Sequence, residues 1–285
     1  MLSKSNLLAD LARNTSQHAR GSAYFSEFEA SLLAELPSIH SSTSGEKMHL
    51  GELGLLVFPY FEMGEISSTN LFGLDELILF SFYFANRARY KKMLDLGANI
   101  GLHTLVMKKL GFEVVSYEPD AIHLSQMSKV LGLNGFSYDG VRPKAISDHS
   151  GTMEYLRVLG NTTGSHLLGS KDGVYGPTDV VAVEVDDILE VLRGGKFDFV
   201  KMDVEGHEVV LLNRISAESI LKTDIVLEIG SQKNAAEIFQ ILSQKKIPAY
   251  SQKTNWSLVK ELEDLPSHHT HGSLFLSMQG APNWD

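Results

Sequence analysis

Apolar residues recur along this chain in the two periods that predict strands and helices. From residue 92 onward, short apolar runs alternate with segments of helical spacing, as in a parallel sheet with crossover helices. The predicted strands are 93–96, 113–117, 141–146, 151–159, 180–185, 197–203, 224–228 and 273–277. The predicted helices are 102–110, 121–131, 187–192, 208–214 and 235–244. The pattern therefore predicts an α/β fold.

The first residues of the chain predict an appended helical segment. Apolar residues over 1–45 recur at intervals of three and four, which indicates two short amphipathic helices, separated near Gly21 and ended by Pro37. Their apolar face must be covered by something. We expect it to pack on the rest of the chain, with a homodimer contact through 1–45 or a lid over the substrate as the alternatives.

The next segment links this extension to the alternating region. Residues 48–66 predict a small hairpin, and residues 71–84 predict a strongly apolar helix. The polar stretch 67–70 offers N-cap side chains for that helix. We therefore divide the chain into an N-terminal helical extension, 1–47, and one larger domain, 48–285.

A strand, a tight turn and a helix form the main candidate for a ligand site, with the sequence Asp95-Leu96-Gly97-Ala98-Asn99-Ile100-Gly101. A helix N-terminus presents unpaired N–H groups, and glycines without a Cβ let a ligand come close to the backbone. We therefore expect Gly97, Asn99 and Gly101 to shape the turn beneath a nucleotide-like cofactor.

Two acids narrow the choice of cofactor. A dinucleotide fingerprint, G-x-G-x-x-G, would need glycine at Asn99, and its third glycine would come one residue after Gly101. Asp95 suits a cationic ligand better than a pyrophosphate. Glu118, 21 positions after Gly97 at the end of the next predicted strand, could accept hydrogen bonds from both ribose hydroxyls. These features predict S-adenosylmethionine.

Composition excludes several classes of protein. The 285 residues are 43% hydrophobic, enough for a substantial core. The net charge of -10 argues against a nucleic-acid partner, because phosphate binding needs clustered Lys and Arg. Without cysteine there is no disulfide framework and no thiolate metal site. No signal-peptide core or membrane-length apolar run occurs, so we expect a soluble, cytoplasmic protein without membrane insertion.

Four blocks carry a family resemblance in their order and spacing: Asp95 to Gly101, Tyr117-Glu118-Pro119, Lys201 to Glu208 and Leu227-Glu228. On these residues the chain, over roughly 50–278, resembles the FkbM family of S-adenosylmethionine-dependent methyltransferases. The third block contains Lys-x-Asp-x-Glu-Gly, which in the family that the chain resembles is the block that separates it from other methyltransferases.

The resemblance implies a fold and an activity. The expected fold is the class I methyltransferase, or Rossmann-like, α/β fold: a seven-stranded, mostly parallel sheet with helices on both faces. The implied strand order is 3-2-1-4-5-7-6, with the last strand antiparallel. The implied reaction is O-methylation of a hydroxyl on a small molecule, a polyketide or a sugar or glycan. The extension at 1–45 and the histidine-rich 267–272 lie outside the resemblance.

Four residues are candidates for catalysis. Asp203, Glu205 and His207 lie at and just beyond the end of the fourth strand of this sheet, and Glu228 ends the fifth at the same edge. Methyl transfer is an in-line displacement, so the enzyme positions the acceptor oxygen and helps remove its proton. A carboxylate or a neutral histidine could do both. The alternatives are capping of the next helix by the first two acids and an ion pair at Glu228.

The cofactor candidates extend beyond the turn. We assign Glu118 to the ribose hydroxyls and Asp95 to the methionine end, with ordinary helix capping as the alternative. Pro119 follows Glu118 directly, and Ile146 and Asp148 lie where similar folds place the adenine.

Two further questions are whether the site binds a metal ion and whether the histidine cluster faces the substrate. Asp203, Glu205 and Glu228 could hold a divalent cation that binds substrate hydroxyls, although spacing alone does not establish a metal. The histidines between His268 and His271 predict a solvated loop, and a substrate-facing role is the alternative.

Two other functions compete with the methyltransferase. One is a non-catalytic S-adenosylmethionine-binding module, since fold and cofactor do not fix activity. The other is a nicotinamide-dependent dehydrogenase, which Asn99 and the early Gly101 disfavour.

Overall fold

The computed structural model describes residues 6–23, 25–27, 29–30, 46–171, 173 and 176–285. The predicted helix end and linker within 31–45 lie outside the described residues. The helices are α1 Leu7–Arg13, α2 Leu74–Ala85, α3 Leu102–Lys109, α4 Ala121–Leu133, α5 Ile188–Gly195, α6 Glu208–Arg214 and α7 Gln232–Lys245. The first strands are β1 Glu46–His49, β2 Leu55–Phe58, β3 Lys92–Leu96, β4 Glu113–Tyr117, β5 Val141–Arg142, β6 Ala145–Ser147 and β7 Gly151–Val158. The later strands are β8 His166–Leu167, β9 Thr178–Asp187, β10 Phe199–Met202, β11 Asp224–Glu228, β12 Ala249–Ser251, β13 Ser257–Leu258 and β14 Ser273–Leu276.

The main sheet has the order β13-β12-β14-β11-β10-β3-β4-β5. Strands β3, β4, β5, β10 and β11 are parallel, and β14 is antiparallel to both β11 and β12. The predicted α/β class is therefore confirmed. The described sheet has eight strands rather than seven, because the two-residue β13 adds a strand beyond β12 at the edge. Without it, the order is the implied 3-2-1-4-5-7-6.

A second, four-stranded sheet, β6-β9-β7-β8, corrects the prediction for 141–185. The run 141–146 was predicted as one strand, but it divides into β5 in the main sheet and β6 in the second, on either side of Pro143. Proline has no N–H for a strand ladder, which explains the break. The prediction that 180–185 is the strand of another unit of the parallel sheet was wrong, because β9 lies in the second sheet, where it pairs antiparallel with β7 over 178–185 and parallel with β6.

Helices cover both faces of the main sheet. One apolar cluster contains Met93 and Phe199 from the strands and side chains of α1, α2, α3 and α4. The other contains Leu94 and Val200 with side chains of α5, α6 and α7. Because neighbouring residues of a strand point to opposite faces, each strand contributes to both clusters. This three-layer arrangement leaves the carboxyl ends of β3, β4, β10 and β11 along one edge.

The N-terminal extension packs on the larger domain. Leu8, Leu11 and Phe25 are almost completely buried in the cluster beneath α2. The Glu52 carboxylate accepts hydrogen bonds from the N–H groups of Leu8 and Ala9, both at 2.8 Å, and so caps the first turn of α1. The described apolar face is thus covered within the chain, as expected, and the homodimer stays a prediction.

The connection from the extension to β3 follows the predicted elements closely. Strands β1 and β2 form the expected antiparallel hairpin. Ser67 forms a capping box with Asn70, but it caps a short 3-10 helix, Ser68–Leu71, rather than α2, which begins three residues later. No helix among the described ranges combines the length and apolar character needed to cross a bilayer.

Candidate active site

The turn at residues 97–101, called here the glycine turn, follows β3 and precedes α3. The N–H groups of Gly97 and Ala98 donate to the Tyr117 carbonyl at 3.1 and 3.0 Å. Gly97 has φ +74°, and a Cβ there would lie 1.8 Å from the Asp203 carbonyl oxygen. Only glycine fits this position, because the turn touches the backbone just beyond β10.

Glu118 is fixed against the glycine turn. Its Oε2 accepts from the Asn99 N–H and its Oε1 from the Asp120 N–H, each at 2.8 Å. The Nδ1 of His123 lies 3.4 Å from Oε1. Asn99 adopts a positive φ of 52°, which directs its N–H toward this carboxylate. The two cofactor motifs predicted from the sequence are therefore in direct contact, with Pro119 beside them.

Gly101 in the turn and Asp95 in the strand before it have structural roles that the sequence did not reveal. Gly101 has φ +88°, and a Cβ there would come within 2.6 Å of the Met127 side chain, so this glycine lets α3 pack closely on α4. Asp95 is completely buried and accepts a hydrogen bond from the Thr104 hydroxyl at 2.6 Å. Its Oδ1 has no hydrogen-bond partner among the described residues.

A polar row crosses the buried face of the sheet beneath the turn. Lys201 on β10 is the register partner of Asp95 on β3, so the two side chains lie on the same face. The Lys201 Nζ lies 3.9 Å from Asp95 Oδ1 and 3.1 Å from Asp203 Oδ2, and it donates to the Gly97 carbonyl at 3.3 Å. Burial disfavours its ammonium, but Asp203, Asp95 and Glu76 outweigh burial and raise the pKa of Lys201. Lys201 thus balances acids from three elements.

Two clefts open at the carboxyl ends of β10 and β11 and share Asp203 and Glu228. The smaller, on the α2 side, is lined by Asp75, Glu76, Leu79, Lys201, Met202, Asp203, Val226, Leu227, Glu228, His269 and Ser273. The larger, called here the acid cleft, has an open volume of about 790 Å³. It is lined by Gly169, Ser170, Lys171, Asp203, Glu205, Gly206, Glu208, Glu228, Gly230, Ser231, Lys233 and Asn234.

The carboxyls of the acid cleft crowd one another. Burial, followed by Asp203, raises the pKa of Glu205, although its Oε2 accepts from the Lys171 Nζ at 2.7 Å. Burial raises the pKa of Glu228 well above its usual range, and Asp203 and Glu205 add to the rise. Burial also raises the pKa of Glu208 to about 8. Taking charged groups of one sign out of water together favours their neutral forms.

In the smaller cleft, Glu76 behaves in the opposite way. Its Oε2 lies 2.6 Å from Nε2 of His103, and the Nδ1 of that ring lies 3.0 Å from the Tyr83 hydroxyl. Burial opposes ionisation of Glu76, but His103 and then Lys201 outweigh it and hold the pKa of Glu76 below its usual range. The smaller cleft therefore contains an acid that its neighbours keep ionised.

His207 was predicted to be catalytic, but both nitrogens of its ring contact serine hydroxyls. Its Nε2 lies 3.0 Å from the Ser147 hydroxyl, and its Nδ1 lies 2.8 Å from the Ser170 hydroxyl. Burial lowers its pKa to about 4. Both ring nitrogens are engaged by serines, so the imidazole joins β6 to the loop at Ser170. Its catalytic role stays a prediction without a supporting contact.

The two residues expected near the adenine, Ile146 and Asp148, have different surroundings. Ile146 is buried in the apolar cluster on the far face, with Tyr117. Asp148 is exposed and pairs with His149 at 2.7 Å. Both follow Pro143, where the chain passes from the main sheet to the second sheet. Their adenine role stays a prediction.

The histidine loop reaches the site at one residue. His269 lines the smaller cleft, as the substrate-facing alternative allowed, and its ring centroid lies 3.9 Å from that of His268. Burial lowers the pKa of His269. For the metal, no group of three or more His, Asp or Glu side chains in the described part of the chain is arranged to hold an ion. A divalent cation remains a prediction.

Sequence reasoning missed two members of the site, Glu76 and Lys171, and it named Lys201 in a family block without giving it a role. A lysine inside the apolar strand Phe199–Met202 was the available signal for that role, since a buried lysine needs acidic partners. Glu76, in the first turn of α2, is indistinguishable from an ordinary acid favoured by the helix dipole.

The residues around the turn fit S-adenosylmethionine. Both Glu118 oxygens accept one backbone N–H each and retain capacity for ribose hydroxyls. Asp95 Oδ1 is buried without a hydrogen-bond partner in the described structure. Acids that outnumber bases at this edge suit a ligand with an ammonium and a sulfonium.

Comparisons with known proteins complete this description. Solved structures similar to the chain include ribosomal protein L11 methylase from Lactobacillus delbrueckii subsp. bulgaricus, at 11% identity and TM-score 0.36, covering 69% of this chain and 75% of that one. WbdD is similar at 15% identity and TM-score 0.40, and the match covers 72% of this chain and 39% of that one. An S-adenosylmethionine-dependent methyltransferase from Agrobacterium tumefaciens is similar at 11% identity and TM-score 0.36, and the match covers 71% of this chain and 61% of that one. The chain thus spans less than two thirds of the last two.

No curated protein sequence matches the chain. The model of the methyltransferase FkbM domain matches residues 95–249, more than half of its length. That match begins at Asp95 and includes Glu118, Lys201, Asp203 and Glu228, the residues that line the edge described above. The chain belongs to the FkbM family of S-adenosylmethionine-dependent methyltransferases.

Proposed function

We propose that this methyltransferase is an O-methyltransferase that acts on a hydroxyl of a small-molecule, polyketide or sugar acceptor. The observation that carries the proposal is the contact between Gly97 and Asp203, which joins the cofactor turn to the acid-lined clefts. The net charge of -10 supports a small molecule or glycan over nucleic acid as the acceptor.

The glycine turn and Glu118 form the cofactor side of the proposed site. Glu118, held by two backbone N–H groups, is oriented before ligand binding and accepts the ribose hydroxyls. Asp95, with its free Oδ1, attracts the cationic methionine end, directly or through water. Lys201 balances Asp95 when the cofactor is absent, so the buried carboxylate always has a positive neighbour.

Asp203 is the residue that we assign to the acceptor. When bound, S-adenosylmethionine supplies a methyl group on a positively charged sulfur. Asp203 Oδ2 accepts a hydrogen bond from Lys201, and its other oxygen is free to orient the acceptor hydroxyl and take up its proton. Its backbone is fixed against Gly97, which keeps the proton acceptor and the cofactor turn at a constant separation.

Isothermal titration calorimetry tests the cofactor assignment. We expect S-adenosylmethionine and S-adenosylhomocysteine to bind the full chain and NAD not to bind. Glu118→Ala should weaken both by more than the roughly 1 kcal/mol of one neutral hydrogen bond. Glu113→Ala, which removes an exposed acid from the same strand, is the matched control and should leave affinity unchanged. Binding of NAD alone would overturn the proposal.

A second experiment separates an enzyme from a binding module. A panel of hydroxyl compounds is screened with methyl-labelled S-adenosylmethionine, and Asp203→Asn is compared with the wild type on any acceptor found. An O-methyltransferase should lose turnover in Asp203→Asn while it keeps its affinity for S-adenosylhomocysteine. Equal label transfer by both proteins would remove Asp203 from the mechanism.

A further inference from the structure

The acid cleft is lined by four carboxyl groups, those of Asp203, Glu205, Glu208 and Glu228, and by two ammonium groups, those of Lys171 and Lys233. Asp203 pairs with Lys201 at 3.1 Å, and Glu205 pairs with Lys171 at 2.7 Å. Glu228 makes no hydrogen bond or ion pair with any described residue, although it lines the cleft. The Glu228 carboxyl therefore lies at the ligand-binding edge of the sheet without a direct partner, although Lys171 and Lys201 interact with it electrostatically.

Glu208 provides a second, independent observation. Its side chain is 2% exposed and lines the same cleft. Its Oε1 accepts from the Val204 N–H at 3.0 Å, but its Oε2 is buried without a hydrogen-bond partner in the described part of the molecule. A buried oxygen without a partner costs about 1–3 kcal/mol, so natural proteins retain one mainly where a ligand or water satisfies it.

The lining selects among ligands. Besides the four acids, the cleft is lined by glycines, Ser170, Ser231, Asn234 and two lysines, Lys171 and Lys233, and by no aromatic or large aliphatic side chain. Such a surface offers little to an apolar ligand, which gains its affinity from buried area. The described acids are not arranged to hold a metal ion. Hydrogen-bond acceptors in excess, with negative charge, suit an organic molecule that carries an ammonium group and hydroxyls.

We propose that the acid cleft binds a hydroxylated amine, with its ammonium held by Glu228 and Glu208, and that this is the methyl acceptor. Only the second part, that this amine is the methyl acceptor, rests on the proposed function. The acceptor hydroxyl then lies at Asp203, on the wall between the two clefts. On transfer, the acceptor oxygen forms a bond to the methyl carbon, the carbon–sulfur bond breaks toward sulfur, and the hydroxyl proton goes to Asp203.

Because the acids crowd one another, the affinity of the cleft for an amine should change with pH. Burial holds the pKa values of Glu228 and Glu208 above their usual range, so both must lose a proton before they attract an ammonium fully. Affinity for an amine that stays charged should therefore rise as the pH rises toward about 8, the pKa of Glu208. A neutral polyol has no reason to show this rise.

Two probes of the same skeleton test the inference: 2-amino-1,3-propanediol and glycerol, which differ by one amino group in place of a hydroxyl. Each is titrated to about 50 mM into the full-length, isotope-labelled chain, a range that covers millimolar dissociation constants. Amide NMR signals around Gly206 and Gly230 report on the acid cleft. We expect saturable shifts with the amine, stronger at higher pH, and none with glycerol. Equal binding of both probes, or of neither, would overturn the proposal.

Charge-removing variants locate the site. Glu228→Gln and Glu208→Gln should each weaken binding of the amine by about tenfold or more. Glu237→Gln removes an exposed acid from α7, the helix that also carries Asn234, and should change the affinity less than about twofold. Equal effects of all three variants would indicate attraction to general negative charge and refute a specific site.

Two further titrations separate this inference from the proposed function. With the chain saturated by S-adenosylhomocysteine, the amine should still bind, and its displacement would show that the cleft serves the ammonium of the cofactor. Magnesium chloride should not reproduce the shifts, and saturable shifts with Mg²⁺ would make the cleft a metal site. If S-adenosylhomocysteine does not bind but the amine does, the proposed function fails and the amine site stands.

Discussion

The glycine turn and the acid cleft lie side by side, yet their acidic side chains differ in how many partners they have within the chain. At the turn, Asp95 faces Lys201 and Glu118 accepts two backbone N–H groups. In the cleft, the Glu228 carboxyl makes no hydrogen bond or ion pair with a described residue, and Glu208 retains a buried oxygen without a hydrogen-bond partner. Apart from Asp95 Oδ1, the first region is complete in the chain itself, whereas the second leaves two carboxyl groups incompletely paired.

This difference predicts opposite responses to substitution. A change in the glycine turn removes contacts that hold the fold together, so it should destabilise the protein. A change in the acid cleft that removes charge relieves repulsion and desolvation, so it should stabilise the folded chain while it harms binding.

The strongest test of the complete region is Gly97→Ala. Its Cβ would lie 1.8 Å from the Asp203 carbonyl oxygen, in a backbone region with φ +74°. The turn and β10 must then separate, and we expect a loss of stability of about 4 kcal/mol or more, measured by urea unfolding. Gly111→Ala is the control, since it has φ +91° but open space, and it should cost only about 1–2 kcal/mol. Equal costs would mean that the contact with Asp203 is unimportant.

Lys201→Met should have the next largest effect. It leaves Asp95, which is completely buried, without its positive neighbour, and we expect a loss of about 3–5 kcal/mol in urea unfolding. Lys144→Met, which breaks a pair with Asp186 near the surface, should cost at most about 1 kcal/mol. A comparable, small loss in both variants would remove Lys201 from the account of the turn.

The comparison also explains what could be predicted from the sequence. The turn, α3 and Glu118 lie within 24 residues of one another, and their glycines and apolar spacing are local signals. The strand order came from the family resemblance instead. Asp203 and Glu228 were predicted to meet because they end neighbouring strands. Lys171 joins them only because of where the second sheet places the loop near residue 170, and no local pattern encodes that.

Pairing partners were the least predictable feature. His207 follows Asp203 closely enough to suggest shared chemistry, but the turn after β10 directs its ring to Ser147 and Ser170. Glu205 has a positive φ of 51°, so the backbone between Asp203 and His207 is neither strand nor helix. Residue spacing cannot give side-chain directions through such a turn.

Glu208→Gln tests the incomplete region. The pKa of Glu208 is raised in the folded chain to about 8, so folding holds a proton that the unfolded chain releases near pH 4.5. The resulting cost is absent below that pH, grows as the pH rises and is complete above about pH 8. The variant should thus exceed the wild type in stability by about 1–4 kcal/mol at pH 8.5 and equal it at pH 4. Glu237→Gln should show no such difference, and a destabilised Glu208→Gln at high pH would contradict the comparison.

His207→Gln tests whether the wall of the acid cleft depends on the bridge between Ser147 and Ser170. At pH 7 we expect a loss of about 1–2 kcal/mol, because glutamine cannot engage both hydroxyls. Burial lowers the pKa of His207 to about 4, so the stability it adds is present above its usual pKa of 6.5 and is lost as the pH falls toward 4. The gap between the variant and the wild type should therefore narrow by about 1–2 kcal/mol from pH 7 to pH 5. A constant gap at His207 would mean that its imidazole is not held neutral.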